Sequence, residues 1–247
     1  MIEITSVSNN IVKDIVKLHQ KKYREDYIIL EGKKALQGAL EAGLEIKYIF
    51  SSNADELKKY DKKFQTYLAN DKVMEKISTT ESAPSILAIV KKPDYKIDKF
   101  KEYKKIILLD RIKDAGNLGT IIRSASAFNI DGIILYGECT DEFSPKTIRS
   151  CAGNIFKIPI VHATIGQLME FKKSHKMVST VVNSKNSIKN FDVKEPYIIM
   201  FGSEADGLCN ELLTLCNVSY TIPMKSGVES LNLAVSAGII LYETYNQ

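Results

Sequence analysis

From Lys105 onward, short apolar runs recur in step with helical stretches, and this alternation narrows the possible fold more than any other property of the chain. Ile106–Leu109, 132–136, 177–182, 197–201 and 219–222 read as strands, while 118–128, 144–152 and 231–245 read as helices. Strand and helix in turn predict a parallel sheet covered by helices on both faces. In such open sheets ligands bind outside the carboxyl ends of the strands. The loops that follow the apolar runs are therefore where function should be sought.

The first third reads as a smaller α/β unit. Ile11, Ile15 and Leu18 form a helical stripe within residues 9–22, set among Lys13, Lys17 and Lys21. Tyr27–Leu30, Ile46–Phe50 and Ser85–Val90 read as strands, with helices over 33–42 (ended by Gly43) and 56–62. The polar, charge-dense stretch around Pro93 reads as a linker. The expected organisation is a substrate-binding domain over 1–92, a linker over 93–104 and a larger domain over 105–247.

Charge follows the same division. Residues 1–104 hold 20 Lys and Arg against 16 Asp and Glu, whereas residues 105–247 hold 14 of each. The basic excess suits contact with polyanion phosphates, and a solvated lysine-rich surface explains it equally well. Four arginines stand against 30 lysines. A chain so sparing of arginine keeps Arg24, Arg111, Arg123 and Arg149 where a planar, forked donor is needed. The four cysteines form no CxxC pair and the three histidines add no zinc spacing, so no metal site is expected. With no membrane-length apolar stretch and no signal-peptide pattern, a cytoplasmic protein is expected.

Three segments at strand ends carry the polar chemistry: Asn117-Leu-Gly-Thr-Ile-Ile-Arg123, Phe201-Gly-Ser-Glu-Ala-Asp-Gly207 and Ile222-Pro-Met-Lys-Ser-Gly-Val-Glu-Ser-Leu-Asn232. In the first, Asn117 suits a helix N-cap, and Arg123 falls about 200° around the axis from Ile121, away from the apolar stripe. Alone, this is a capped surface helix with an exposed arginine. The second is a glycine-bracketed loop, distinguished from a plain strand-to-helix turn by Glu204. It is not a P-loop, and no GxGxxG occurs in the chain. In the third, Ser230 alone could be no more than a cap for the apolar helix after it.

Together, in order and spacing, the three segments resemble the motifs of the SpoU/TrmH family of S-adenosylmethionine-dependent RNA ribose 2′-O-methyltransferases, of the SPOUT superfamily. Ser144–Pro159 also resembles the family, with Cys151 where serine is usual, as do Lys22-Tyr-Arg24 and Ile29-Leu-Glu-Gly32. Ala115 and Asn129 depart from the usual proline and glycine. The resemblance implies a parallel α/β domain with a deep trefoil knot, preceded by a small α/β RNA-binding domain, and a homodimer formed through the knotted domain. It implies Arg123, Asn117, Glu204, Ser230 and Asn232 as catalytic residues. Gly202, Ile222, Leu231, Thr180 and Met224 are implied as the S-adenosyl-L-methionine site. Lys22, Arg24, Lys146 and Arg149 are candidate RNA contacts, Arg149 being equally open to a structural ion pair. The two-domain layout favours 23S-type rRNA as substrate, with tRNA or a catalytically silent RNA-binding protein as alternatives. Gly202→Arg is expected to fill the cofactor site in a folded protein, and residues 100–247 to bind cofactor without residues 1–90.

Overall fold

The computed structural model describes residues 1–194 and 196–245. Two compact units form: Met1–Asp94 with Phe143–Phe156, and Tyr95–Glu142 with the residues from Lys157 on. The first contains a sheet of β1 (Ile2–Ile4), β2 (Tyr27–Glu31), β3 (Ile46–Ser51), β4 (Thr66–Ala69) and β5 (Ile86–Lys91), ordered β1-β4-β3-β5-β2. β5 runs antiparallel to both its neighbours, and the other pairs are parallel. The helices are α1 (Asn10–Lys17), α2 (Lys33–Glu41), α3 (Ala54–Leu57) and α4 (Asp71–Ile77). Val12 and Ile15 of α1 and Val73, Met74 and Ile77 of α4 close over Ile29, Phe50, Tyr67, Leu87 and Ile89 on one sheet face.

The second unit is built on a six-stranded sheet, ordered β11-β9-β10-β6-β7-β8, whose pairings are all parallel. Its strands are β6 (Lys105–Asp110), β7 (Gly132–Tyr136), β8 (Ile160–Ala163), β9 (Lys176–Thr180), β10 (Tyr197–Phe201) and β11 (Val218–Tyr220). Ile106–Leu109 and Ile198–Met200 are fully buried, as continuous apolar runs in a sheet covered on both faces require. The helices in chain order are α5 (Ala115–Ala127), α6 (Pro145–Ser150), α7 (Ile165–Phe171), α8 (Asn210–Leu215) and α9 (Leu233–Tyr245). Of these, α6 belongs to the first unit, where it packs on β2. Leu168, Phe171, Leu212 and Leu215 of α7 and α8 join Ile106, Leu108, Ile134, Ile198 and Met200 in one core, while α5 and α9 pack on each other. No described helix is long and apolar enough to cross a membrane.

The expected partition at 1–92, 93–104 and 105–247 needs two changes. Residues 97–102 form a 3-10 turn whose Phe100, 1% exposed, enters the core of the second unit, so this stretch is anchored. Residues 143–156 pack with the N-terminal residues, burying Phe143, Ile148, Cys151, Ile155 and Phe156. A fragment of residues 100–247 would therefore carry an uncovered apolar segment, contrary to the expectation of an intact cofactor-binding half. The first helix also stops earlier than its periodicity suggests. Arg24 Nη1 donates to the carbonyls of Leu18 (2.7 Å) and His19 (2.9 Å), holding the carbonyl end just after α1.

Candidate active site

The strand order places β10 between β9 and β6, so the chain reverses its direction of travel across the sheet beside β6. This is the switch point at which open α/β sheets bind ligands. A cleft of about 710 Å³ opens to one side of this point, walled by the residues that follow β9, β10 and β11. Thr180, Gly202, Ile222, Met224 and Leu231, the five expected cofactor residues, all line it. Apolar Phe201, Ile222, Leu231 and Ile240 share the walls with Glu204, Asp206 and Ser230. The volume suits a nucleoside-sized ligand, and the mixed lining offers an apolar slot with a few polar groups.

The wall from β10 is tightly closed. Ser203 N donates to Gly207 O and Gly207 N to Ser203 O, each at 3.0 Å, pinching residues 203–207 into a bridge. A Cβ on Gly202 would lie 2.0 Å from Gly207 C and 2.2 Å from Leu208 N. Any side chain at Gly202 therefore strikes its own loop before it reaches the cleft, which corrects the expectation that Gly202→Arg would simply occupy the site. The milder Gly202→Ala is expected to open the bridge and weaken ligand binding by about tenfold or more, or about 1.4 kcal/mol. Titration calorimetry on the folded variant checks this, and an unchanged affinity would refute it.

Three of the expected catalytic residues meet directly. Asn117 Nδ2 donates to Glu204 Oε1 (2.8 Å), and Asn232 Nδ2 donates to Asn117 Oδ1 (3.1 Å). Asn232 Oδ1 accepts from Ala234 N (2.9 Å) and Val235 N (3.3 Å) at the start of α9. Those backbone donors fix the amide of Asn232, which fixes that of Asn117, which leaves a donor for the acceptor-only carboxylate. One directed chain thus joins the first turn of α5 to the segments that follow β10 and β11. Two capping assignments change with it. Asp114, not Asn117, caps α5, its carboxylate accepting from Asn117 N at 2.8 Å. At α9 the Asn232 side chain takes the capping role considered for Ser230.

Arg123 lies six residues beyond Asn117 on α5, exposed and off the buried stripe of Leu118, Ile121, Ile122 and Ala125, as its spacing predicts. It makes no hydrogen bond or ion pair among the described residues, so its donors are available to a ligand. Ser230 lines the cleft near Asn232 in sequence, and the Thr180 hydroxyl is tied to Met200 O at 2.9 Å.

The RNA candidates divide. Lys22 and Lys146 are exposed, Lys22 Nζ lying 4.9 Å from the Tyr23 ring centroid. Arg24 is buried and bound to backbone carbonyls, so it is withdrawn as an RNA contact. Of the two roles open to Arg149, the structure realises the ion pair: its Nη1 lies 2.7 Å from Oε2 of the Glu31 side chain, which is 4% exposed, and donates to Thr79 Oγ1 at 2.9 Å. Asp110 and Arg111, which reach the glycine loop at Cys209 N and Gly207 O, are not among the site residues the motifs indicate. The scarcity of arginine is the one sequence signal that marks Arg111. Among the described residues no group of three His, Cys, Asp or Glu side chains could hold a metal.

Comparison with known proteins agrees with this geometry. The model of the SpoU rRNA Methylase family matches residues 104–242, and that of the MRM3-like substrate binding domain matches residues 9–88. The chain is 29% identical to the 23S rRNA (guanosine(2553)-2′-O)-methyltransferase RlmP of Bacillus subtilis, over 98% of each protein. It is 30% identical to the 23S rRNA (uridine(2479)-2′-O)-methyltransferase of Streptomyces viridochromogenes, over 92% of this chain and 85% of that one. The crystal structure of AdoMet-bound rRNA methyltransferase from Sinorhizobium meliloti superposes with a TM-score of 0.88 and 32% identity, over 99% of this chain and 97% of that one.

Proposed function

The chain belongs to the SpoU rRNA methylase family, and on that premise we propose that it transfers a methyl group from S-adenosylmethionine to a ribose 2′-hydroxyl of 23S-type rRNA. The observation that carries this reading is the hydrogen-bonded chain Glu204–Asn117–Asn232 at the cofactor-sized cleft. The donor set fits the cofactor: apolar walls for the adenine, and the carboxylate of Glu204 for the positive charge of a sulfonium. When bound, S-adenosylmethionine supplies an electrophilic methyl group.

The protein's own residues then orient the acceptor. Arg123 presents forked donors to the 2′-oxygen as negative charge develops on it, and to a neighbouring phosphate. Its guanidinium carries only N–H donors and no acceptor, so it acts as a donor and not as a base. Asn117 and Asn232 hold Glu204 in one orientation, and Ser230 adds a hydroxyl beside them. Lys22 and Lys146 contribute to RNA attraction, and residues 1–92 select the rRNA. The family fold carries a knot in the second unit. The site is in the cytoplasm, where ribosomes and reduced cysteines coexist; all four cysteines are free.

The working unit is a homodimer formed through α9. Val235 and Tyr242, 52% and 54% exposed, sit two turns apart on one face of that otherwise apolar helix. Val235→Asp combined with Tyr242→Asp is expected to give a monomer in sedimentation equilibrium, where the wild type sediments as a dimer. A wild-type monomer at micromolar concentration would remove the dimer from the proposal.

Tritiated methyl transfer to purified rRNA and tRNA, followed by mapping of 2′-O-methyl sites with and without the gene, tests the reaction and substrate together. A methyl lost from 23S rRNA is expected. Loss from tRNA alone would move the substrate, and no transfer to either would favour a silent RNA-binding protein.

A further inference from the structure

We infer that Arg111, together with the buried carboxylate of Asp110, is a positioning residue that sets the shape of the 202–208 loop for S-adenosylmethionine. This rests on the cofactor reading above and adds a residue to it. Asp110 ends β6 and is fully buried, with both carboxylate oxygens engaged. Oδ1 accepts from Arg111 Nε at 2.9 Å, while Oδ2 accepts from Arg111 Nη2 at 3.1 Å and from Cys209 N at 2.8 Å. The same Nη2 donates to Gly207 O at 3.1 Å, and Nη1 lies 3.5 Å from Asp206 Oδ2.

The pair thus grips the loop at Asp206, Gly207 and Cys209, from the strand beside β10. Gly207 O is also the acceptor that closes the Ser203–Gly207 bridge, so the guanidinium holds the same carbonyl from a second side. The backbone is committed to this arrangement. Arg111 adopts φ 53°, in the left-handed region that a non-glycine residue occupies at a cost. Gly137, at φ 66°, leaves room for its stem, since a Cβ there would sit 2.8 Å from Arg111 Cγ.

A bidentate grip on Asp110 with a second branch on Gly207 needs the planar fork of arginine; a lysine ammonium is a point charge on a flexible stem. Arg111 itself is absent from the cleft lining, so it acts through the loop.

Arg111→Ala and Arg111→Lys, the latter keeping a cation beside the buried carboxylate, test this. Calorimetry is expected to show S-adenosylmethionine affinity falling about tenfold or more in Arg111→Ala and less in Arg111→Lys. The KM for cofactor should rise by more than kcat falls. Hydrogen exchange without cofactor should be faster at Ser203, Gly207 and Cys209, with the amides of β6 and β10 unchanged. Wild-type affinity in both variants would overturn the inference, as would faster exchange spread evenly over the second unit. A wild-type protein that binds no S-adenosylmethionine would overturn the cofactor reading itself, and the inference with it.

Discussion

Arg123→Ala is expected to lower methyl-transfer turnover by about 10²–10³, the loss found when one preorganised donor to a developing oxyanion is removed. Cofactor affinity should stay within about twofold, well under the 1.4 kcal/mol that a tenfold change represents. The split follows from position. Arg123 is exposed on α5, does not line the cleft, and makes no hydrogen bond or ion pair among the described residues. No hydrogen bond or ion pair among the described residues is therefore lost with it, and its removal should leave the melting temperature nearly unchanged. Arg123→Lys keeps the charge and loses the fork, so it should recover little of the rate. Near-wild-type turnover in either variant, measured at saturating cofactor and RNA, would take Arg123 out of the chemistry.

The central strands were legible because they are continuous apolar runs, and β7 and β10 fall on the residues that their patterns indicate. Two short strands were not. Thr66–Ala69, between β1 and β3, and Ile160–Ala163, at the edge of its sheet, have only four residues each, too few for a period to show. The linker assignment fails chiefly at Phe100, which enters the core with Tyr95, Ile97 and Tyr103 packed beside it; composition averages over a few apolar residues in a charged, proline-containing stretch. The helical pattern at 144–152 was visible, yet nothing local to it says which sheet it covers. That choice is made by packing on β2 and by the pairing of Arg149 with Glu31, 118 residues away.

The site was legible as three separated segments, and the sequence named the residues more securely than their jobs. Asp114 and Asn117 are both good capping types three positions apart, so spacing alone cannot choose between them. The structure gives the cap to Asp114, which frees the Asn117 side chain to bridge Glu204 and Asn232. Asn232 caps α9 with its oxygen while its nitrogen serves the site, a double use that no pattern of residue types displays. Arg24 shows the opposite case. A scarce arginine in a basic segment suggested RNA, and the fork is instead spent on two backbone carbonyls.

Removing residues 1–94 is expected to cost the remaining chain its solubility before it costs the reaction. Phe143, Ile148, Cys151, Ile155 and Phe156, now at most 7% exposed, would lose the core they help to form. At about 25 cal/mol per Å² of apolar surface, and about 1.5–3 kcal/mol for each large side chain, their exposure is a penalty comparable to the whole stability of a domain. Glu31 leaves with the deletion, so Arg149 also loses its carboxylate partner. Replacing 143–156 by a flexible Gly/Ser connection in the same truncated chain removes the uncovered segment, and should give a soluble protein that binds S-adenosylmethionine with near-wild-type affinity. That protein should transfer no methyl to 23S rRNA, because the residues proposed to select the RNA are gone. The full-length enzyme's RNA affinity should fall steeply with salt, in proportion to the phosphates contacted. Full-rate methylation of the same nucleotide by the shortened protein would show that the first unit is needed for folding alone and that the RNA is read by the second.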